Sequence, residues 1–112
     1  MKVVFPIMAG RDLPARLPAA LAMAANSARA RRYEDLKATF FGPSEEYLAN
    51  LSGQDAENLR FLVESGAVDS ACISVAEKMG VKESLEKLGL RLYPAGEALS
   101  KYVNAGYQVV SF

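Results

Sequence analysis

The sequence predicts an α/β protein whose five strands form a mostly parallel sheet, and three observations carry that reading. Short apolar runs alternate with stretches of helical spacing along the whole chain. Each run is separated from the next by enough residues for a crossover helix. The boundaries are marked by glycine and proline turns. Strands joined through helices return side by side in parallel, because the right-handed crossover is the connection that packs.

The chain has 112 residues, of which 51% are hydrophobic, and a formal net charge of zero, which is enough for one domain with a real core. Without net charge the molecule lacks the field that holds nucleic acid by counterion release, so no nucleic-acid partner is expected. Self-association is correspondingly less opposed. Met1 to Gly10 places one cation before an apolar run, but Pro6 interrupts that run and Gly10-Arg11-Asp12 ends it. No other apolar segment approaches spanning length, so the expectation is a cytoplasmic protein with no membrane partner. A single cysteine makes no internal disulfide and fits a reducing compartment. The absence of histidine removes the usual Ser-His and Cys-His catalytic pairs and leaves a structural zinc without its common ligands, so no metal site and no cofactor are expected.

Taken in order, Lys2 to Ala9 is a continuous apolar run, the pattern of a strand covered on both faces, with Pro6 marking an edge, a bulge or a break in pairing. Asp12 is a candidate N-cap for a helix carrying Leu13, Leu17, Leu21 and Ala24, although Pro18 fits better if the helix begins near it. That helix ends in Arg29, Arg31 and Arg32, cations that a helix C-terminus favours, and we read a solvated end there rather than an RNA patch. Leu36 to Phe41 is the second strand. It stops at Gly42-Pro43, after which Ser44 can cap a helix whose Glu45 and Glu46 complement the dipole; neighbouring acids on a helix diverge, so they do not read as an acid/base pair. Asp55 caps a further helix, with Leu59, Leu62 and Val63 inward. After the third strand and two short helices come a fourth strand, Leu90 to Tyr93, a helix with Leu99, Tyr102 and Val103 inward, and a last strand from Tyr107 to Phe112.

The third strand carries the chemistry. Val68, Ala71 and Ile73 read as its buried residues, and Ser74 with Glu77 three residues later is a capping-box signature for a helix that starts at once. Cys72 therefore stands where strand gives way to helix, where amide groups favour a thiolate; the alternative is a small apolar residue filling the strand end. In a parallel sheet all carboxyl ends share one edge, and ligands collect there. That edge should bring Gly10 and Arg11, Gly42, Pro43 and Ser44, Cys72 and Ser74, and Pro94 and Gly96 around the thiol. Arg11 and Lys78 are candidates for nearby positive charge.

With these elements in place, the chain resembles the DsrE/DsrF-like family, small domains related to the sulfur-relay subunit TusD. The resemblance lies in Phe40-Phe41-Gly42-Pro43, Ala71-Cys72, Met79-Gly80, Tyr93-Pro94-Ala95-Gly96 and Gly106-Tyr107, in that order. It implies a three-layer α/β/α sandwich, assembly as a homotrimer or homohexamer, and a sulfurtransferase or sulfur-carrier role in which Cys72 holds sulfane sulfur as a persulfide, received from a donor and passed to an acceptor protein. The second reading is a non-catalytic oligomeric scaffold that binds a small anionic ligand or nucleotide at the Gly42-Pro43-Ser44 and Pro94-Ala95-Gly96 turns. Tyr33, Tyr47, Tyr102, Tyr107 and Phe112 are candidates for subunit contacts or for core.

Overall fold

In the computed structural model, which describes all 112 residues, the chain runs β1 (Lys2–Ile7), α1 (Arg16–Arg29), β2 (Asp35–Phe40), α2 (Pro43–Leu48), α3 (Gly53–Glu64), β3 (Val68–Cys72), α4 (Ile73–Met79), α5 (Lys82–Lys87), β4 (Leu92–Tyr93), α6 (Ala95–Asn104) and β5 (Gln108–Val109). The strands form one five-stranded sheet in the order β4-β3-β2-β1-β5. Every pairing is parallel, with Val3 opposite Leu36 and Ile7 opposite Phe40 along the longest ladder. The α/β class expected from the alternation of strands and helices is therefore the observed one.

Strand β1 is buried from Val3 to Ile7 because both its faces are covered. Val3, Phe5 and Ile7 join Leu17, Leu21, Leu59 and Leu62 of α1 and α3 in the main core, while Val4 lies on the other face, where α6 crosses β1, β2 and β3. This gives three layers, and each fully buried leucine contributes about 1.5–3 kcal/mol by leaving water. Pro6 sits inside the sheet, between β2 and β5, which corrects the expectation of an edge. Its carbonyl accepts a hydrogen bond from the Phe112 amide at 2.9 Å, so the side on which it lacks an N–H faces the β5 segment. The break in pairing falls there: β5 is only two residues long, not the Tyr107–Phe112 strand expected from sequence.

Other boundaries moved for local reasons. Asp12 does not cap α1, which begins at Arg16 after Ala15; its carboxylate instead accepts the Gly10 amide at 3.0 Å. Pro18 falls in the first turn of α1, where N–H groups have no intrahelical partner to lose. Helix α3 starts after Ser52 with no side-chain cap, so Asp55 lies in its first turn. On α6 the inward residues are Ala98 and Tyr102, whereas Val103 faces solvent. Three of the five candidate contact aromatics are used internally. The Tyr102 and Tyr107 hydroxyls donate to Asp69 and Asp35, and the Phe112 ring lies 5.2 Å from Phe5.

Candidate functional site

The carboxyl ends of β1 to β4 lie along one edge, and Cys72 is the last residue of β3 there. It is also the residue that caps α4, with an extended backbone of φ −72° and ψ 121° that leaves the first-turn amides free of intrahelical bonds. This corrects the expected capping box. Ser74 lies inside the helix rather than at its cap, and its hydroxyl is 3.4 Å from the Cys72 sulfur. Glu77 is exposed and caps nothing. Burial pushes the Cys72 thiol up, but the Ser74 hydroxyl and the amides of Val75, Ala95 and Ser74 outweigh it, and the thiol titrates below its ordinary 9.0. Since α4 is only seven residues long, these individual donors act on the sulfur rather than a helix macrodipole. Cys72 is buried, with 7% of its surface exposed.

The Ala95 amide belongs to the first turn of α6, and a second cluster holds that helix in place. Asp69 of β3 accepts from Tyr102 and from Lys101 at 2.9 Å on one oxygen, and from Ser70 at 2.9 Å and Arg91 at 3.2 Å on the other. Burial alone would raise the Asp69 pKa, but the hydrogen bonds from Tyr102, Lys101 and Ser70 bring it down to about 2. Asp69 is a structural clamp. Through it the register of α6 on β3 sets where the Ala95 amide meets the thiol.

Glu45 is the residue that sequence reasoning passed over. It is 0% exposed, and neither carboxyl oxygen has a hydrogen-bond partner. Burial, then the charge of Cys72, push its pKa up to about 8, and the Gly42 and Cys72 amides, which stay outside hydrogen-bond geometry, draw it only partly back. Its neighbour Glu46 behaves as expected for a helix start, half exposed and paired with Arg11 at 3.2 Å. The signal that separates the two acids is helical spacing: Glu45 stands three residues before the buried Leu48, on the inward face of α2.

The remaining predicted residues divide. Gly10 is required by packing, since a Cβ there would lie 2.2 Å from the Pro43 carbonyl oxygen. Gly42 precedes α2 with φ 72° and ψ −142°, a conformation close to the glycine-only region. Ser44 is not a cap and presents no free hydroxyl: its Oγ donates to the Ile7 carbonyl at 2.9 Å, and its amide donates to Met8 at 2.9 Å. These contacts pin α2 to the end of β1 and so place Glu45. Arg11 is taken by Glu46, and Lys78 is exposed in the last turn of α4, so neither supplies the positive charge foreseen near Cys72. Pro43 and Pro94 are exposed helix-start residues. Gly96, with Ala95, Leu99, Pro6, Thr39 and Phe41, lines a mainly apolar cavity of about 160 Å³. That volume is below the roughly 300–1,000 Å³ of typical small-molecule sites, which argues against a nucleotide at the Pro94-Ala95-Gly96 turn. No group of three or more Cys, Asp or Glu side chains is placed to hold a metal ion.

Chemically, the edge offers a thiol whose anion is favoured by its surroundings, with the Ser74 hydroxyl 3.4 Å from the sulfur, while burial on α2 raises the Glu45 carboxyl.

No protein-family model and no curated protein matches the chain. Among solved structures it is similar to a conserved protein of unknown function from Bacteroides thetaiotaomicron, with a TM-score of 0.79 and 24% sequence identity over 97% of this chain and 94% of that one. At that identity the likeness establishes the fold.

Proposed function

We propose that this protein handles sulfane sulfur, with Cys72 as the thiolate that accepts it as a persulfide and passes it on. The observation that carries the reading is the Ser74 hydroxyl 3.4 Å from a sulfur that stands at the carboxyl edge of the sheet, and its environment lowers the thiol pKa in spite of burial. The resemblance in the phrases around Phe40, Cys72 and Tyr93 points the same way. Cys72 has no second cysteine in the chain, so its sulfur leaves to another molecule by attack of an acceptor thiol on the outer sulfur. The thiolate attacks the donor's outer sulfur, the new S–S bond forms as the donor's S–S bond breaks, and the donor departs as a thiol.

The test is intact mass after exposure to a low-molecular-weight persulfide, with Cys72→Ser alongside. Wild type should gain the mass of one sulfur and Cys72→Ser none. Equal uptake by the two proteins, or none by wild type, ends the reading. Native mass spectrometry of the same sample reads whether the protein forms the homotrimer or homohexamer that the resemblance implies; a monomer removes that part.

A further inference from the structure

We propose that the cavity at the amino-terminal edge of the sheet, opposite the edge that carries Cys72, binds a small phosphate monoester, with Arg31 and Tyr33 receiving the phosphate and Phe61 beside the organic group. This site is independent of the sulfur reading.

Arg31 stands in a conformation that the other helix ends reserve for glycine. It follows the Ala30 cap of α1 with φ 51°, and it is the one residue other than glycine with a positive φ. The end of α1 closes as a Schellman motif, in which the Arg32 amide donates to the Ser27 carbonyl at 3.1 Å and the Arg31 amide to the Ala28 carbonyl at 3.2 Å. Helices α3, α4, α5 and α6 leave their last turns through Gly66, Gly80, Gly89 and Gly106, all at positive φ. A side chain in that conformation is destabilising, because its Cβ crowds the carbonyl oxygen. The hydrogen bonds and ion pairs of the other arginines are not matched by any at the Arg31 guanidinium, so no contact within the protein offsets the strain. Residues held in this way collect at ligand sites.

Arg31 lines a cavity of about 300 Å³ between the end of α1, the start of β2 and the end of α3. That is the lower end of the roughly 300–1,000 Å³ of small-molecule sites. Ala28, Leu36, Phe61 and Ala67 supply its apolar wall. The polar side chains around it differ in what they already hold. Ser27 accepts from Arg32 at 3.1 Å, Ser65 donates to the Leu62 carbonyl at 3.1 Å, and Lys37 donates to the Gly66 carbonyl at 2.9 Å. Both acids are matched, Glu34 by the Met1 ammonium at 3.0 Å, and Asp35 by Lys37 at 3.8 Å and the Tyr107 hydroxyl. Arg31 and Tyr33 are left, and both are donors without an acceptor. A guanidinium fork and a phenolic O–H are suited to the oxygens of an anion. Arg29 and Arg32 have no carboxylate partner either, and Arg29 lies over the Phe61 ring at 4.3 Å. This positive excess favours a phosphate, close to doubly charged at neutral pH, over a carboxylate.

The probe is phenyl phosphate at low ionic strength, followed by calorimetric titration, with phenol as its neutral counterpart. Wild type should bind phenyl phosphate about tenfold or more tightly than phenol. Arg31→Gly should weaken that binding by about tenfold or more and, by relieving the backbone, raise the urea midpoint of unfolding. Tyr33→Phe should weaken binding by about threefold or more. No binding by wild type, or equal affinity in wild type and Arg31→Gly, overturns the site. Arg29 does not line the cavity, so an equal loss in Arg29→Gln would mean attraction to a diffuse cationic surface and would overturn the site as well. A midpoint that falls in Arg31→Gly would show that the arginine serves the fold, and would remove the ground for assigning it to a ligand.

Discussion

Replacing Glu45 by glutamine should change how stability depends on pH, and the size of the change follows from burial. The folded protein holds this carboxyl at about 8 against an ordinary 4.5, so between those values the folded state keeps a proton that the unfolded chain has lost. Stability therefore falls as pH rises, by about 1.4 kcal/mol per pH unit from about pH 4.5 upward, and levels off above about pH 8. By pH 7 the loss is about 3 kcal/mol, a large share of the 5–15 kcal/mol that holds a typical domain together. Glutamine does not titrate, so whatever constant offset its buried amide introduces, the difference in unfolding free energy between the two proteins should shift by that amount in favour of the variant. Urea unfolding at intervals from about pH 5 to about pH 9 reads it directly. A difference that stays flat over that range would show that Glu45 is solvated or paired in solution, and the argument from its burial would fail.

Asp69 should behave in the opposite sense, because its folded pKa lies at about 2, below its ordinary 3.8. Its contribution is present above the unfolded value and is lost as pH falls toward 2, so Asp69→Asn should cost about 2 kcal/mol at neutral pH and little at the acid end, measured by urea unfolding. A neutral-pH cost near zero would remove Asp69 as the clamp of α6. Gly10→Ala places a methyl 2.2 Å from the Pro43 carbonyl oxygen, which is backbone and gives way only by moving the start of α2. We expect a loss of about 1–3 kcal/mol in thermal or urea unfolding, and an unchanged midpoint would contradict the packing described.

The order of elements was legible in the sequence because it rests on local patterns. Apolar runs of strand length, glycine and proline stops and leucines at helical spacing located all five strands and set Cys72 at the end of β3. Boundaries that depended on side-chain caps moved, since Asp12, Ser44 and Ser74 each found a different acceptor or neighbour: Asp12 the Gly10 amide, Ser44 the Ile7 carbonyl, Ser74 the thiol. A hydroxyl or carboxylate near a helix start satisfies a cap motif by type alone, and which group it bonds is decided by what the fold brings within reach. Pro6 shows the same limit. Its missing donor left an edge, a bulge or a break in pairing open, and the choice among them, with the neighbour that loses the bond, depended on the strand order.

What the sequence by itself determined is the alternation of strands and helices, their parallel return, and a lone thiol at one carboxyl edge, because these follow from hydrophobic period and chain connectivity. Only the tertiary structure decided the environment of that thiol. The Ala95 amide, twenty-three residues further on, reaches Cys72 because β4 pairs beside β3 and Asp69 holds α6 against the sheet. Glu45 is unlike Glu46 for the same reason: adjacent in the chain and identical in chemistry, one is fully buried with both oxygens unpartnered and the other reaches Arg11 in the open. Burial and long-range proximity set the charge each group carries, and neither is a property of a residue's immediate neighbours in sequence.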